Sequence, residues 1–251
     1  MNQACKFLLF GAALAVNCSH ASEYRFYSAA GIKLPMIEFA QQFNQANPLN
    51  PMVNDFDTAG AAEGKFIADT QSACLITTII RLEKALSTGV LKGTAPVPLA
   101  DTLGGIAFSG DFKPAISNAS ELKLALLNAK SIAFSDPSRG ATVGLHFLET
   151  IKKLGIEKEV LAKSTLAKDG IETMKLVMSK KVELGITQVS EIIQADAKTL
   201  LGPFPKEFEL SSRYAVWCRD SKDKNIAMFL DLIQSEMGAK TLHTFGLRPV
   251  R

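Results

Sequence analysis

Strand-like and helix-like segments alternate along most of this 251-residue chain, and no other feature of the sequence constrains the fold as strongly. Short apolar runs typical of buried strands lie at 24–30, 73–78, 131–135, 182–187 and 213–218. Segments between them carry apolar residues at helical spacing, as Val143, Phe147 and Leu154 do. Because strands that alternate with helices usually pair in parallel, the sequence predicts an α/β protein with mostly parallel sheets.

The N-terminus has the three-part order of a secretory signal peptide. A short polar start containing Lys6 precedes an apolar run at 7–16, which is too short to span a bilayer as a helix. Ser19 and Ala21 then place small residues at the −3 and −1 positions of a cleavage site. We therefore expect residues 1–21 to be removed and the mature protein to be periplasmic.

Cleavage after Ala21 would leave two cysteines, Cys74 and Cys218. Two cysteines in an oxidising compartment can pair, but sequence alone does not bring them together in space. Both lie in apolar, strand-like runs, which favours two small buried residues without a disulfide. No spacing typical of a metal site occurs, so neither a metal nor a cofactor is predicted.

The charge pattern and the missing catalytic motifs narrow the functional classes. The formal net charge is only +3, and the lysines and arginines are scattered, which argues against a nucleic-acid partner. The Gly-x-Ser-x-Gly motif of serine hydrolases is absent, and no pair of carboxylates stands out by its spacing. We predict a monomeric binding protein with no catalytic residues, whose mild positive charge weakly favours a small anionic ligand.

Candidate binding residues lie in four strand-to-helix connections rich in small residues, at 28–31, 58–61, 138–142 and 187–190. Open α/β sheets bind ligands at the carboxyl ends of their strands, where free amides of helix N-termini favour anions. Arg139 lies in one of these connections, beside Gly140. Its guanidinium is predicted either to hold a ligand carboxylate or to remain a solvated loop residue or a partner of Asp136.

Five segments, in the right order, resemble the periplasmic molybdate-binding protein family of ABC importers. They are FYSAAGIKLPMIEFAQQF, NDFDTAGAAEGKFIA, IAFSDPSRGATVGLHFLETIKKLGI, VELGITQVSEI and FLDLIQSEMGAKTLHTFGL. The resemblance implies a two-lobed type II periplasmic-binding-protein fold with a hinged cleft, and a membrane permease as partner. Segments 96–103 and 202–212 look like crossings between the lobes. They divide the chain into lobe 1 (22–100 and 213–251) and lobe 2 (101–212).

The connections and the resemblance together give the predicted ligand-binding residues: Ser28, Gly31, Thr58, Ala59, Arg139, Thr142, Val143 and Gln188. The family usually has serine where this chain has Gly31 and Ala59, and tyrosine where it has Gln188. Because each hydrogen bond lost from a desolvated site costs about 1–3 kcal/mol, the missing hydroxyls predict weak molybdate binding. A small organic carboxylate is therefore the ligand predicted first. The alternatives are a molybdate-type oxyanion and a sensor role for a membrane receptor.

Overall fold

The computed structural model describes residues 23–111 and 113–250, so the predicted signal peptide lies outside the described residues. The strands are β1 Tyr24–Ala29, β2 Met52–Asp57, β3 Cys74–Thr78, β4 Val97–Phe108, β5 Ile132–Ser135, β6 Ser164–Ala167, β7 Leu184–Gln188, β8 Leu200–Pro203, β9 Ser211–Cys218 and β10 Arg248–Pro249. The α-helices are α1 Lys33–Ala46, α2 Ala59–Ala68, α3 Ile79–Ser87, α4 Ala119–Asn128, α5 Thr142–Lys153, α6 Glu157–Leu161, α7 Gly170–Met178, α8 Val189–Asp196, α9 Lys224–Gln234 and α10 Glu236–Thr244.

The sheet has two halves that share the long strand β4. The strand order is β2-β1-β3-β9-β4-β7-β5-β6, with β8 and β10 also paired to β4. Residues 97–103 of β4 pair with β9, and residues 104–108 pair with β7. The short strand expected near residue 105 is thus the second part of β4.

Parallel pairing is found on both sides of this shared strand. Strand β1 pairs in parallel with β2 and β3, and β5 pairs in parallel with β6 and β7. Strands β9 and β4 run antiparallel to their neighbours where the chain passes between the halves. The α/β class is confirmed, and the parallel strands of each half end where helices begin.

Each half has its own hydrophobic core. In the first half Phe26 packs edge-to-face on Phe229, with ring centroids 4.9 Å apart. In the second half Phe134 packs on Phe147 at 5.0 Å. The lobe boundaries near residues 100 and 212 stay a prediction. No described helix has the length and apolar character needed to cross a membrane.

Cys74 and Cys218 form a disulfide, so the interpretation as two unpaired buried residues is wrong. They are directly opposite each other on the antiparallel strands β3 and β9, and their Cα atoms are 4.1 Å apart. This register depends on the return of the chain at a sequence separation of 144, which the local sequence of either strand does not reveal.

Candidate functional site

A cavity of about 30 Å³ lies where the carboxyl ends of β1, β2, β5 and β7 meet the segments that follow them. Because β1 and β2 belong to one half of the sheet and β5 and β7 to the other, the cavity lies between the halves. The predicted residues that line it are Gly31, Thr58, Ala59, Thr142, Val143 and Gln188. The other lining residues with a functional group or a close backbone are Ser135, Gly170, Thr187, Glu191 and Tyr214.

Two predicted residues, Ser28 and Arg139, do not line the cavity. Ser28 is fully buried, and its hydroxyl lies 3.3 Å from Oδ1 of Asn54 on the neighbouring strand β2. Arg139 turns away from the cavity to bond Asp57 and the carbonyl of Lys168. The charged partner of Arg139 is thus Asp57 and not Asp136, and its role in holding a ligand carboxylate stays a prediction.

Helix N-termini supply main-chain donors to the cavity. Helix α5 begins at Thr142, and its first intrahelical bond runs from Leu145 N to Ala141 O. The amides of Thr142 and Val143 precede that bond, so they have no acceptor within the helix. Both residues line the cavity, where these N–H groups and the positive end of the helix dipole favour an anion.

The hydroxyl of Tyr214 occupies the space above Gly31. A Cβ atom added to Gly31 would lie 2.1 Å from Tyr214 Oη, so only glycine leaves room for the phenol at this position. Tyr214 is 2% exposed and lines the cavity. Burial and then the nearby charge of Glu191 hold the pKa of the Tyr214 phenol well above its ordinary value. The group therefore stays neutral and can donate a hydrogen bond to an anion.

A buried carboxyl group, that of Glu191, forms one wall of the cavity. Glu191 is 8% exposed, and its Oε2 accepts hydrogen bonds from the hydroxyl of Thr187 and from the amide of Gln188. The carboxyl packs directly on Gly170, where a Cβ would lie 2.0 Å from Oε2. Burial raises the Glu191 pKa to about 7, against the lowering effect of these hydrogen bonds. This carboxyl group therefore takes up a proton at a higher pH than an ordinary glutamate does.

The loops on the two sides of the cavity are joined by a charged contact. Arg139 Nη2 donates to both carboxylate oxygens of Asp57, at 2.8 and 2.9 Å, and the Asp57 side chain is 1% exposed. Lys65 Nζ lies 3.1 Å from the same carboxylate, and the Thr58 amide donates to it at 2.8 Å. Burial raises the Asp57 pKa, but the hydrogen bonds from Arg139, Thr58 and Lys65 outweigh it and leave the pKa below its ordinary value.

Main-chain contacts accompany this ion pair. Gly60 N donates to Gly140 O at 3.2 Å, and the hydroxyl of Thr58 donates to Arg139 O. Gly140 has φ +73°, in the left-handed region that glycine adopts without strain. A Cβ on Gly60 would lie 2.8 Å from the Gly140 Cα, so the two backbones approach each other closely. We call the pair Arg139–Asp57 together with Gly60–Gly140 the closing contact.

Several lining residues lie outside the predicted set, and three of them show why. Glu191 falls at the third position of a helix, where a glutamate usually caps the N-terminus, so the pattern gave no sign of a ligand role. Tyr214 lies on β9, far along the chain from the four connections. Gly170 carries no chemistry of its own, and its role appears only when Glu191 is placed on it.

Two α/β halves facing each other across a small polar cavity are characteristic of proteins that bind a solute in a cleft. The match to a family model agrees with this class. The chain belongs to the family described as bacterial extracellular solute-binding protein, whose model matches residues 24–248. The comparison with curated proteins gave no match.

Solved structures of similar fold have low sequence identity. The periplasmic molybdate-binding protein of Azotobacter vinelandii superposes with a TM-score of 0.71 at 18% identity, covering 91% of this chain and 100% of that one. Peb3 from Campylobacter jejuni gives 0.64 at 12%, covering 90% and 99%. AgtB from A. tumefaciens R10, in complex with agropinic acid, gives 0.69 at 12%, covering 91% and 83%. The type II periplasmic-binding-protein fold and the predicted likeness to molybdate-binding proteins are confirmed.

Proposed function

We propose that this protein is a periplasmic solute-binding protein that captures a small oxyanion for an ABC importer. The observation that carries the proposal is the convergence of neutral donors on one cavity of about 30 Å³ between the two halves. The donors are main-chain amides at the start of α5 and the Tyr214 hydroxyl. Such hydrogen bonds to a charged acceptor contribute about 1.5–3 kcal/mol each, which suits an anion held without a counter-charge.

The geometry favours an oxyanion over the organic carboxylate that the sequence suggested first. That preference depended on Arg139, whose guanidinium is bonded to Asp57. None of the described residues that line the cavity is a lysine or an arginine. The cavity is also small, with a volume of about 30 Å³. A compact ion fits this space better than an extended organic acid does.

Tyr214 explains how the site tolerates the loss of the serine at position 31. The absent serine hydroxyl is replaced by a phenol that enters from β9 and lies against the Gly31 Cα. The donor count of the cavity is thus higher than the sequence suggested, which restores a molybdate-type oxyanion as a ligand class.

Closure of the two halves is the proposed mechanism. The ligand binds the donors of one half, and the other half swings over it until the closing contact forms. Asp57 is the last residue of β2, and Gly60 follows it. Arg139 and Gly140 follow β5. The closing contact therefore joins opposite sides of the cleft. The membrane permease then recognises the closed form.

A thermal-shift comparison of oxyanions with carboxylates tests the proposal. We expect molybdate, sulfate or phosphate to stabilise the mature protein, and acetate and succinate to leave it unchanged. A ligand at a thousandfold excess over its Kd adds about 4 kcal/mol of stability, which raises the Tm by about 8–16 °C at about 2–4 °C per kcal/mol. Stabilisation by the carboxylates alone would refute the oxyanion proposal.

A proline variant tests the main-chain donor directly. Thr142 is the first residue of α5, and Ala141 before it has ψ 113°, a conformation compatible with a following proline. T142P therefore removes one cavity amide with the helix kept, and we expect oxyanion binding to weaken by about 10–150-fold. The matched control is K224P at the first position of α9, where Asp223 has ψ 129° and no cavity is near. Equal affinity of T142P and K224P would exclude that amide from the site.

A further inference from the structure

The free oxygen of Glu191 is the feature of the cavity that the proposed function leaves unused. Oε2 takes both hydrogen bonds that reach this carboxyl group, from Thr187 and Gln188. Oε1 has no hydrogen bond to any residue within 23–111 and 113–250, although the side chain lines the cavity. A ligand oxygen beside Oε1 must meet a negative charge unless a proton lies between the two.

The surroundings of Glu191 do not supply a counter-charge. Asp169, on the N-terminal side of α7, adds negative charge, and Tyr214 on β9 is neutral. Lys33 and Lys175 line a separate groove on the far side of Glu191 and do not reach the cavity. No ion pair joins Glu191 to either lysine among the described residues, so an anion beside Oε1 is accommodated when the Glu191 carboxyl gains or shares a proton.

We propose that Glu191 sets the specificity of the site by sharing one proton with the bound oxyanion. This inference depends on the proposed function and deepens it. An oxyanion that keeps a proton at neutral pH, as hydrogen phosphate does, donates its O–H to Oε1. A fully ionised oxyanion, such as sulfate or molybdate, binds only after Glu191 has taken up a proton from solvent. With hydrogen phosphate only hydrogen bonds change, whereas with sulfate or molybdate a proton from solvent forms an O–H bond with the Glu191 carboxylate.

The two ligand classes then differ in their pH dependence. For sulfate and molybdate, binding takes up a proton, so the Kd rises about tenfold for each pH unit above the Glu191 pKa, which burial raises to about 7. At pH 8 and above, where hydrogen phosphate is the main form of the ligand and Glu191 is mostly ionised, the ligand brings the proton, so the phosphate Kd stays constant. The site thus prefers hydrogen phosphate increasingly as the pH rises.

Calorimetric titration of the mature protein with phosphate, sulfate and molybdate from pH 6 to pH 9 tests the inference. We expect a phosphate Kd that stays constant between pH 8 and pH 9, and the tenfold slope for the other two. E191Q should lose that slope, because its amide donates at every pH. E172Q is the matched control, since Glu172 occupies the same third position of α7 and bonds only the Lys168 amide outside the cavity. It should keep the slope.

The outcomes separate this inference from the proposed function. Binding of sulfate or molybdate with the same Kd at pH 6 and pH 9, or a slope that persists in E191Q, overturns the role of Glu191 and leaves oxyanion binding intact. Failure of all three anions to bind at any pH overturns the proposed function itself. If E191Q does not fold, T187V replaces it. Loss of the Thr187 hydrogen bond raises the Glu191 pKa further, so the slope must begin at higher pH.

Discussion

Replacement of Gly31 by alanine tests the packing that brings Tyr214 to the cavity. The added Cβ would lie 2.1 Å from Tyr214 Oη and 3.0 Å from its Cζ, far inside van der Waals contact. Gly31 has no positive φ, so the cost is steric and not conformational. Overpacking of this kind costs about 1–3 kcal/mol. At about 2–4 °C per kcal/mol, we expect G31A to lower the Tm by about 2–12 °C.

A double-mutant cycle isolates the contact. Y214F removes the atom that meets the new Cβ, so G31A/Y214F should recover most of the stability lost in G31A. The control is G64A in α2, where an added Cβ meets nothing within 4 Å, and where alanine should raise helix stability by about 0.5–1 kcal/mol. Thermal denaturation followed by circular dichroism measures all four variants. A G31A protein as stable as wild type, or one that Y214F does not rescue, would refute the proposed packing.

Three further predictions concern charge and the disulfide. The Glu191 pKa of about 7 exceeds its ordinary 4.5, so the folded protein binds this proton more tightly than the unfolded chain does. The free energy of unfolding should therefore fall by up to about 3 kcal/mol as the pH rises from 4.5 to 7. Urea denaturation of E191Q should not show this fall. R139M should weaken molybdate binding about tenfold by opening the closing contact, whereas R25M, which removes a surface pair, should not. C74A/C218A should lose up to about 5 kcal/mol, measured by urea denaturation, because the disulfide closes a loop of 144 residues.

Each of these has an outcome that contradicts it. If the free energy of unfolding of E191Q changes with pH as that of the wild type does, a group other than Glu191 causes the fall. Equal affinity of R139M and R25M for molybdate would mean that closure does not depend on the ion pair. The R139M protein should stay folded, because Asp57 retains Lys65 and the Thr58 amide. If C74A/C218A is as stable as the wild type, the disulfide does not contribute to the free energy of unfolding.

Most of the cavity could be predicted because it obeys a rule that local sequence reveals. Small residues after a strand and before a helix mark the carboxyl edge of an α/β sheet, and this pattern covers Gly31, Thr58, Ala59 and Thr142. The rule specifies where backbone donors lie. It says nothing of which distant side chains complete the site.

The contacts that sequence reasoning did not foresee all join distant parts of the chain. Arg139 bonds Asp57 across 82 positions, and the charge pattern near Arg139 suggested only Asp136. Cys74 and Cys218 meet through the register of β3 and β9. The serine missing at position 31 suggested a lost donor, whereas Tyr214 occupies that space from another strand. Each partner becomes visible only when the strand order is known.

A crystal structure of the mature protein soaked with molybdate tests the central claim most directly, because molybdenum marks its own position by anomalous scattering. The account predicts one anomalous peak in the cavity, with ligand oxygens within hydrogen-bond distance of the Thr142 and Val143 amides and of Tyr214 Oη. A peak outside the cavity, or crystals without one at saturating molybdate, would contradict the claim that these donors converge on a single oxyanion.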